Sequence, residues 1–537
     1  MRLRAPGESR EPTDLDHPAV RSVAGQAAIV SAAFVVSRVL GLVREILIAA
    51  RFGTSAEYDA YVVAFRLPDF LFLVVMSGAF GSAFIPVFGG LLSCGAQERA
   101  WRLANTVLTL TLAVLAIASL VSFFLAGWLI RTVIAPGLAE PQETLATDLT
   151  RLLLLSPLLL GLGAAGKGML EAQRAFTAAA FAPVLYNVGI ISGALLLAPA
   201  YGPFGLAIGV LAGALGHAGL QFGDLLRRGW RYFPVLDLRT EGLSQVGRLM
   251  APRILGQAAY QLNLIVLTNF ASRLGERYVS ALNYAFQLFL LPHGIFALSL
   301  STVIFPLMAQ QFSRGDLPSV RRTLQQALSP LLCLTVPAMI GLWVFRTSIV
   351  QLLLQFGAFS ELSTELVSSA LGYFAPGLVA FAVVEAVTRA FYALQDTRTP
   401  VLASTITVAI NIVLSWWLLP LLGHRGLALS LSLATTLEML ILLIALHRRI
   451  RGLELGFLSS LVRVLAAGAV MTLVSWPLAE PLTRATDPQS GRSIEQALAF
   501  VGTLAAATAT YLIAAYYAGV PEMRALARRA RWCRRSS

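Results

Sequence analysis

The chain has 537 residues, 57% of them hydrophobic and 13% charged, with a mean hydropathy of +0.73. A soluble protein carries about 25% charged residues, so this composition excludes a water-soluble enzyme and leaves a polytopic membrane protein. The formal net charge of +13 does not mark a nucleic-acid binder, because the arginines fall where membrane topology requires them.

Residues 1–24 read as a polar, disordered cytoplasmic leader, without the apolar core of a signal peptide. Stretches of about 20 apolar residues, enough to cross a bilayer, then follow at 25–50, 58–92, 102–130, 150–173, 176–200, 204–225, 246–272, 278–311, 324–345, 364–394, 400–421, 426–446, 456–481 and 496–518. The expected fold is therefore an all-α polytopic membrane protein of fourteen transmembrane helices. Residues 226–245 form a cytoplasmic linker, 447–518 an added helix pair and 519–537 a basic cytoplasmic tail.

Orientation follows from the basic residues. Arg2, Arg4, Arg10 and Arg21 precede the first span; Arg227, Arg228 and Arg231 follow the sixth; Arg448, Arg449 and Arg451 follow the twelfth. The opposite connections are poorer, with no charge at 200–203 and only His424 and Arg425 at 422–425. Both termini are thus expected in the cytoplasm. Cys94, Cys333 and Cys533 are scattered, so neither a disulfide framework nor a metal site is supported.

The chain reads as a duplication. Asp59-Ala60 and Ala64-Phe65-Arg66-Leu67 return 221 residues later as Ser280-Ala281 and Ala285-Phe286-Gln287-Leu288. Gly202, Gly205, Leu206 and Ala207 return at the same offset as Gly423, Gly426, Leu427 and Ala428, while Gln173 and Gln395 stand 222 apart. Each repeat, 25–225 and 246–446, holds six spans, so the copies are parallel and related by an axis along the membrane normal. Such repeats build two-lobed transporters with the substrate between the lobes and alternating access.

Charge inside the spans points to the cargo. Arg38, Arg44 and Glu45 lie in the first span, where a charge costs at least ~2.5–3.5 kcal/mol and faces a bundle interior or a wet cavity. Arg38 and Glu45, two helical turns apart, share a face and could pair, with Gly41 a place for a bend. A cavity lined by arginine wants an anion. The second copy has Ala259, Ile265 and Ser280 where the first has Arg38, Arg44 and Asp59. Asp59 and Arg66 in span two are candidate cavity or interface charges, Asp59 as the counter-charge of a span-one arginine. Span seven offers Arg253 beside Pro252, a residue that could interrupt the helix, and a polar stripe of Gln257, Gln261 and Asn263. Glu385 and Arg389 are spaced to neutralise each other, and Glu438 has no obvious partner and is a candidate proton or cation site. No Walker A sequence, H-E-x-x-H or G-x-S-x-G is present, so no enzyme is indicated. Transport would draw on an ion gradient or the membrane potential.

The segment Ser37-Arg38-Val39-Leu40-Gly41-Leu42-Val43-Arg44-Glu45, with Phe52-Gly53, Asp59-Ala60 and Phe65-Arg66-Leu67-Pro68, resembles the start of the MurJ (MviN) family of the MOP exporter superfamily. The likeness continues through Gly78-Ala79-Phe80, Phe84-Ile85-Pro86, Ala182-Pro183 with Asn187, and Gln395-Asp396-Thr397. It implies two six-helix lobes, a helix pair forming a groove for an undecaprenyl tail, and transfer of lipid II, the lipid-linked disaccharide-pentapeptide, to the outer leaflet of the bacterial inner membrane. It also implies that Arg38, Arg44 and Asp59 are functional charges, the arginines meeting the diphosphate. The partners it implies are lipid II, the bilayer and other cell-wall synthesis proteins; a sodium or proton coupling ion would have no site mapped here. Many members carry charges in span two where this chain has Phe72 and Ser77, and in span eight where it has Phe286, Gln287 and Leu290. That leaves open a flippase for another polyprenyl-diphosphate glycan, and more remotely a cation-coupled drug exporter. Arg253 could supply part of the missing positive charge.

Overall fold

The computed structural model describes residues 18–79, 84–237, 239–450, 455–487 and 494–524, and among them no strand occurs. The helices are α1 Pro18–Phe52, α2 Ala56–Ala79, α3 Ile85–Ser93, α4 Gln97–Leu129, α5 Glu140–Leu153, α6 Ser156–Ala172, α7 Thr177–Ser192, α8 Ala198–Tyr201, α9 Pro203–Arg227 and α10 Leu243–Ser272. They continue with α11 Tyr278–Ser313, α12 Leu317–Val344, α13 Arg346–Leu354, α14 Glu361–Phe374, α15 Leu378–Ala393, α16 Arg398–Leu422, α17 His424–Arg449, α18 Leu455–Ala485 and α19 Ile494–Ala518. Eleven helical stretches among the described residues are long and apolar enough to cross a membrane. Of the other three expected spans, 25–50 and 246–272 fall on α1 and α10, of 35 and 30 residues, while 58–92 covers α2, of 24 residues, and α3, with 80–83 outside the described residues.

Several expectations change. Of the expected leader, residues 18–24 belong to α1, which begins at Pro18, and residues 1–17 lie outside the described residues. Pro252 does not interrupt α10, whose helical backbone runs from Leu243 to Ser272. Likewise α1 is continuous through Gly41. Span ten is two helices, α14 and α15, joined by a short turn at Ala375–Gly377, where Pro376 withholds an N–H from the helical ladder. The additional helix α13 was not foreseen; it follows α12 directly at Phe345.

Contacts group the chain into two compact units, whose boundaries differ from the expected lobes. The first comprises residues 1–44, 80–113 and 158–246; the second comprises 45–79, 114–157 and 247–537. In the first unit, α7 and α9 pack closely through glycines. A Cβ on Gly189 would lie 2.3 Å from the Gly213 Cα, and one on Gly209 would lie 2.7 Å from the Gly193 Cα. Small residues four apart let two backbones touch, which replaces the missing hydrophobic drive inside lipid. Gly209→Leu is therefore expected to force α7 and α9 apart, with overpacking of about 1–3 kcal/mol. A lower melting temperature in detergent and reduced membrane abundance would register it.

The linker also belongs to this unit and is strapped to the start of α4. Arg99 pairs with Glu241 at 2.9 Å and Arg102 with Asp237 at 3.1 Å. These exposed pairs are worth ~0–1 kcal/mol each, so the buried contact does more: the Trp230 indole N–H donates to Asn105 Oδ1 at 3.2 Å, and Asn105 Nδ2 donates to the Arg231 carbonyl at 3.2 Å.

In the second unit a continuous apolar core runs through α11, α12, α15, α17, α18 and α19. The added pair α18–α19 is part of this core. Tyr511 is buried and its hydroxyl reaches Cys333 Sγ at 3.7 Å, while Gly468 lies against Val336 and Ile340 of α12.

Candidate functional site

Within the first unit, the charged part of α1 is organised by α7. Arg44 Nη1 donates to Asn187 Oδ1 at 3.1 Å. Asn187 Nδ2 donates in turn to the carbonyls of Ser37 and Pro183, at 3.2 and 3.1 Å. The amide is thus held from both helices with its oxygen aimed at the guanidinium. Arg38 is exposed, and its guanidinium lies over the Phe34 ring, 5.1 Å from the centroid. Each arginine thus has a defined neighbour, Asn187 for Arg44 and Phe34 for Arg38. A guanidinium binds a carboxylate or phosphate bidentately.

Asp59, Arg66, Glu45, Gln257 and Gln261 belong to the second unit. Asp59 is fully buried. Its Oδ2 accepts from the Arg277 N–H at 2.5 Å and its Oδ1 from the Ser280 N–H at 2.7 Å. Both donors belong to the first turn of α11, which starts at Tyr278 with no side-chain cap of its own. Asp59 thus acts as a cap supplied from another helix, on the end where N–H groups lack partners and the macrodipole is positive. Ser280 is also the residue 221 positions on, the counterpart of Asp59 in the repeat.

This capping contact sits in a wider seal. Gly53, at φ +54°, would place a Cβ 2.4 Å from the Ala358 carbonyl, and Gly357, at φ +56°, would place one 2.3 Å from the Ala50 carbonyl. The Ala358 N–H donates to the Ala50 carbonyl at 2.8 Å. A matching approach occurs at Gly137, where a Cβ would lie 2.3 Å from the Ser272 carbonyl and whose N–H donates to Ser272 Oγ at 3.2 Å. Glycine permits such backbone proximity, and at Gly53 and Gly357 the positive φ as well. Across the same seal Tyr58 stacks on Tyr284 with centroids 4.9 Å apart, and Tyr284 meets Phe359 edge to face at 5.7 Å.

Thr54 Oγ1 and Ser363 Oγ approach to 2.7 Å there. A Thr54→Cys, Ser363→Cys pair, made without the native cysteines, is expected to form a disulfide on oxidation. Transport should then stop and return on reduction; gel mobility and a transport assay read the two effects.

Arg66 Nε donates to Thr268 Oγ1 of α10 at 2.8 Å. Gln257 is half-buried; Gln261 is 4% exposed, and its Oε1 has no hydrogen-bond partner. The Arg253 side chain lies outside the described residues. Glu385 and Arg389 pair as expected, at 2.7 Å. Asn187 and Thr268, which position Arg44 and Arg66, were not read from the residues as site groups. Their partners stand 143 and 202 positions away, and only the resemblance had singled out Asn187.

Among the described residues no group of three or more His, Cys, Asp and Glu side chains is placed to hold a metal.

The family model described as "Lipid II flippase MurJ" matches residues 48–486. A lipid II flippase MurJ of Burkholderia cenocepacia is 31% identical over 83% of this chain and 88% of its own length. A probable lipid II flippase MurJ of Rhizobium meliloti is 32% identical over 92% of this chain and 93% of its own. Among solved structures, one described as lipid II flippase MurJ in an inward closed conformation superposes with a TM-score of 0.73 at 25% identity, covering 91% of this chain and 98% of its own. A multidrug resistance MATE family transporter of the MOP superfamily, in an inward-facing conformation, shares the fold with a TM-score of 0.65 at 15% identity, over 77% of this chain and 94% of its own. The match spans most of the chain in both sequence and structure, and the chain belongs to the MurJ family of lipid II flippases.

Proposed function

We propose that this protein moves lipid II from the cytoplasmic to the outer leaflet of the bacterial inner membrane by alternating access. The observation that carries this reading is the α1 pair Arg38 and Arg44, with Arg44 oriented by the anchored amide of Asn187, in a chain of this family. Two guanidiniums inside a membrane protein suit a diphosphate, and their charge repays its desolvation. In this reading α1, α2 and α10 cross the bilayer with the eleven apolar spans, and both termini are cytoplasmic. Glu45, Arg66, Arg253, Gln257 and Gln261 line the path, and α18 and α19 hold the lipid tail.

The seal around Asp59 then lies at the outer end, with the cargo entering from the cytoplasm. The contact of Asp59 with its own repeat counterpart supports an axis along the membrane normal passing between them. Release outward requires Asp59 to leave α11 and the glycine contacts at Gly53, Gly137 and Gly357 to part.

One observation favours a second reading, a flippase for another polyprenyl-diphosphate glycan. Phe286, where many members carry a charge, is buried against Phe289, Phe374 and Phe381, with centroids 5.6–6.3 Å apart in the last two pairs. Proteoliposomes loaded with fluorescent lipid II or with an undecaprenyl diphosphate bearing an unrelated glycan separate the readings. Lipid II should be flipped faster; preference for the unrelated glycan would establish the second.

A further inference from the structure

Two like contacts in the second unit stand in unlike surroundings. Gly357, in the turn before α14, lays its backbone on Ala50 near the end of α1, and the Ala358 N–H donates to the Ala50 carbonyl at 2.8 Å. Gly137, in the turn before α5, lays its backbone on Ser272 at the end of α10, and its N–H donates to Ser272 Oγ at 3.2 Å. Ala50 and Ser272 stand 222 residues apart and the two glycines 220 apart, close to the interval of the sequence repeat. Each copy's turn thus closes on a helix of the other copy.

What precedes the two turns differs. The turn at Gly137 follows the π-helical stretch Ile130–Ile134 at the end of α4. The turn at Gly357 follows α13, and α13 is bonded to α18. Ser348 Oγ lies 3.2 Å from Thr483 Oγ1, and the Thr486 hydroxyl donates to Gln351 Oε1 at 2.8 Å. Ser348 and Thr486 are buried. Both pairs are spaced three residues apart, so one face of α13 matches the end of α18. Phe345, Ile349 and Leu482 add apolar contact through the core. Beyond α13, Gln355 Oε1 accepts from the Thr364 hydroxyl at 2.9 Å and the Phe359 N–H donates to the Phe356 carbonyl at 3.0 Å. The turn carrying Gly357 is therefore tied to α13 on one side and α14 on the other.

We infer that α13 is a coupling arm between α18 and the seal, with Gln351 and Thr486 as its positioning residues. A lipid tail lying against α18 and α19 acts through this arm on the Gly357 half of the seal. Buried hydroxyl and amide partners are costly to separate where no water replaces them, so α13 and α18 shift as one body. Six residues lead from Gln351 to Gly357, and the contact of Gly357 with Ala50 is backbone on backbone, with no side chain to absorb a shift. Because α18 and α19 lie beyond both copies of the repeat, they take hold of one of the two like turns through α13. Coupling of this kind is reciprocal: parting of the seal changes the affinity for the tail by the factor with which the tail shifts the seal.

The inference rests on the lipid II reading for the tail beside α18 and α19, and the experiment keeps the two apart. Ser348→Cys with Thr483→Cys, made without the native cysteines, joins α13 to α18 on oxidation. The joined protein should flip fluorescent lipid II in proteoliposomes at the rate of its reduced form, whereas the Thr54–Ser363 cross-link stops flipping. Loss of flipping on oxidation, or a pair that does not cross-link, would overturn the arm. The second measurement is labelling of Ser363→Cys by an impermeant maleimide in phosphatidylcholine vesicles with and without undecaprenyl phosphate. The lipid should raise labelling at least about fivefold, the lower end of allosteric couplings. Gln351→Met and Thr486→Val should each abolish that rise while undecaprenyl phosphate, followed by native mass spectrometry, still binds. A rise that persists in either variant, or no rise in a protein that flips lipid II, would contradict the inference. A protein that neither binds undecaprenyl phosphate nor flips lipid II would instead count against the lipid II reading.

Discussion

On the proposed reading, Asp59→Ala should open the outer end, because the start of α11 loses the carboxylate that caps it. The substitution leaves the buried N–H groups of Arg277 and Ser280 without acceptors, at ~1–3 kcal/mol for each such group. A loss of even 2 kcal/mol shifts a two-state equilibrium about 30-fold. Ser363 is 1% exposed under the same seal, so Ser363→Cys reports on it. Labelling of that cysteine by a membrane-impermeant maleimide should rise at least tenfold in the Asp59→Ala background. Asp59→Asn retains one acceptor oxygen and should fall between the two. Unchanged labelling would mean that the glycine contacts at Gly53, Gly137 and Gly357 hold the seal alone.

The second large effect is expected at Arg44. Arg44→Ala removes the guanidinium that Asn187 orients, and a hydrogen bond to a charged group is worth about 1.5–3 kcal/mol. Transport of a diphosphate-linked substrate should therefore fall by roughly 10- to 150-fold. Arg44→Lys keeps the charge without the planar fork and should recover only part of the rate. Asn187→Leu retains Arg44 but loses its orienting amide, together with the bonds to Ser37 and Pro183, so it should impair transport while expression stays normal. Rates normalised to the amount of protein in proteoliposomes distinguish these effects from misfolding.

Much of the fold is legible in the sequence because lipid leaves few options: runs of apolar residues become helices. The charges of α1 and the pairing of Glu385 with Arg389 are equally local signals. What the sequence hides is long-range. Nothing in the spacing around Asp59 says that its carboxylate caps a helix 218 positions away, because the acceptor and its backbone donors lie on different helices. The run through span ten conceals the turn at Ala375–Gly377, since Pro376 lies within an unbroken apolar pattern. Conversely, Pro252 suggested a break that α10 does not make; proline is tolerated in membrane helices when neighbours satisfy the freed carbonyl. Gly137 and Gly357 carry no signal in the sequence, and Gly53 only that of the resemblance, because their importance lies in backbone approaches to Ser272, Ala50 and Ala358.

The central claim, outward transfer of lipid II by this chain through the arginines of α1, is tested most directly in cells whose own lipid II flippases can be depleted. Outward-facing lipid II is measured by its accessibility to an externally added toxin that cleaves it. Expression of this protein should restore cleavage and growth, and the Arg44→Ala variant, present in equal amount, should restore neither. Cleavage that stays absent with the wild-type protein in the membrane, or that Arg44→Ala restores in full, would contradict the account.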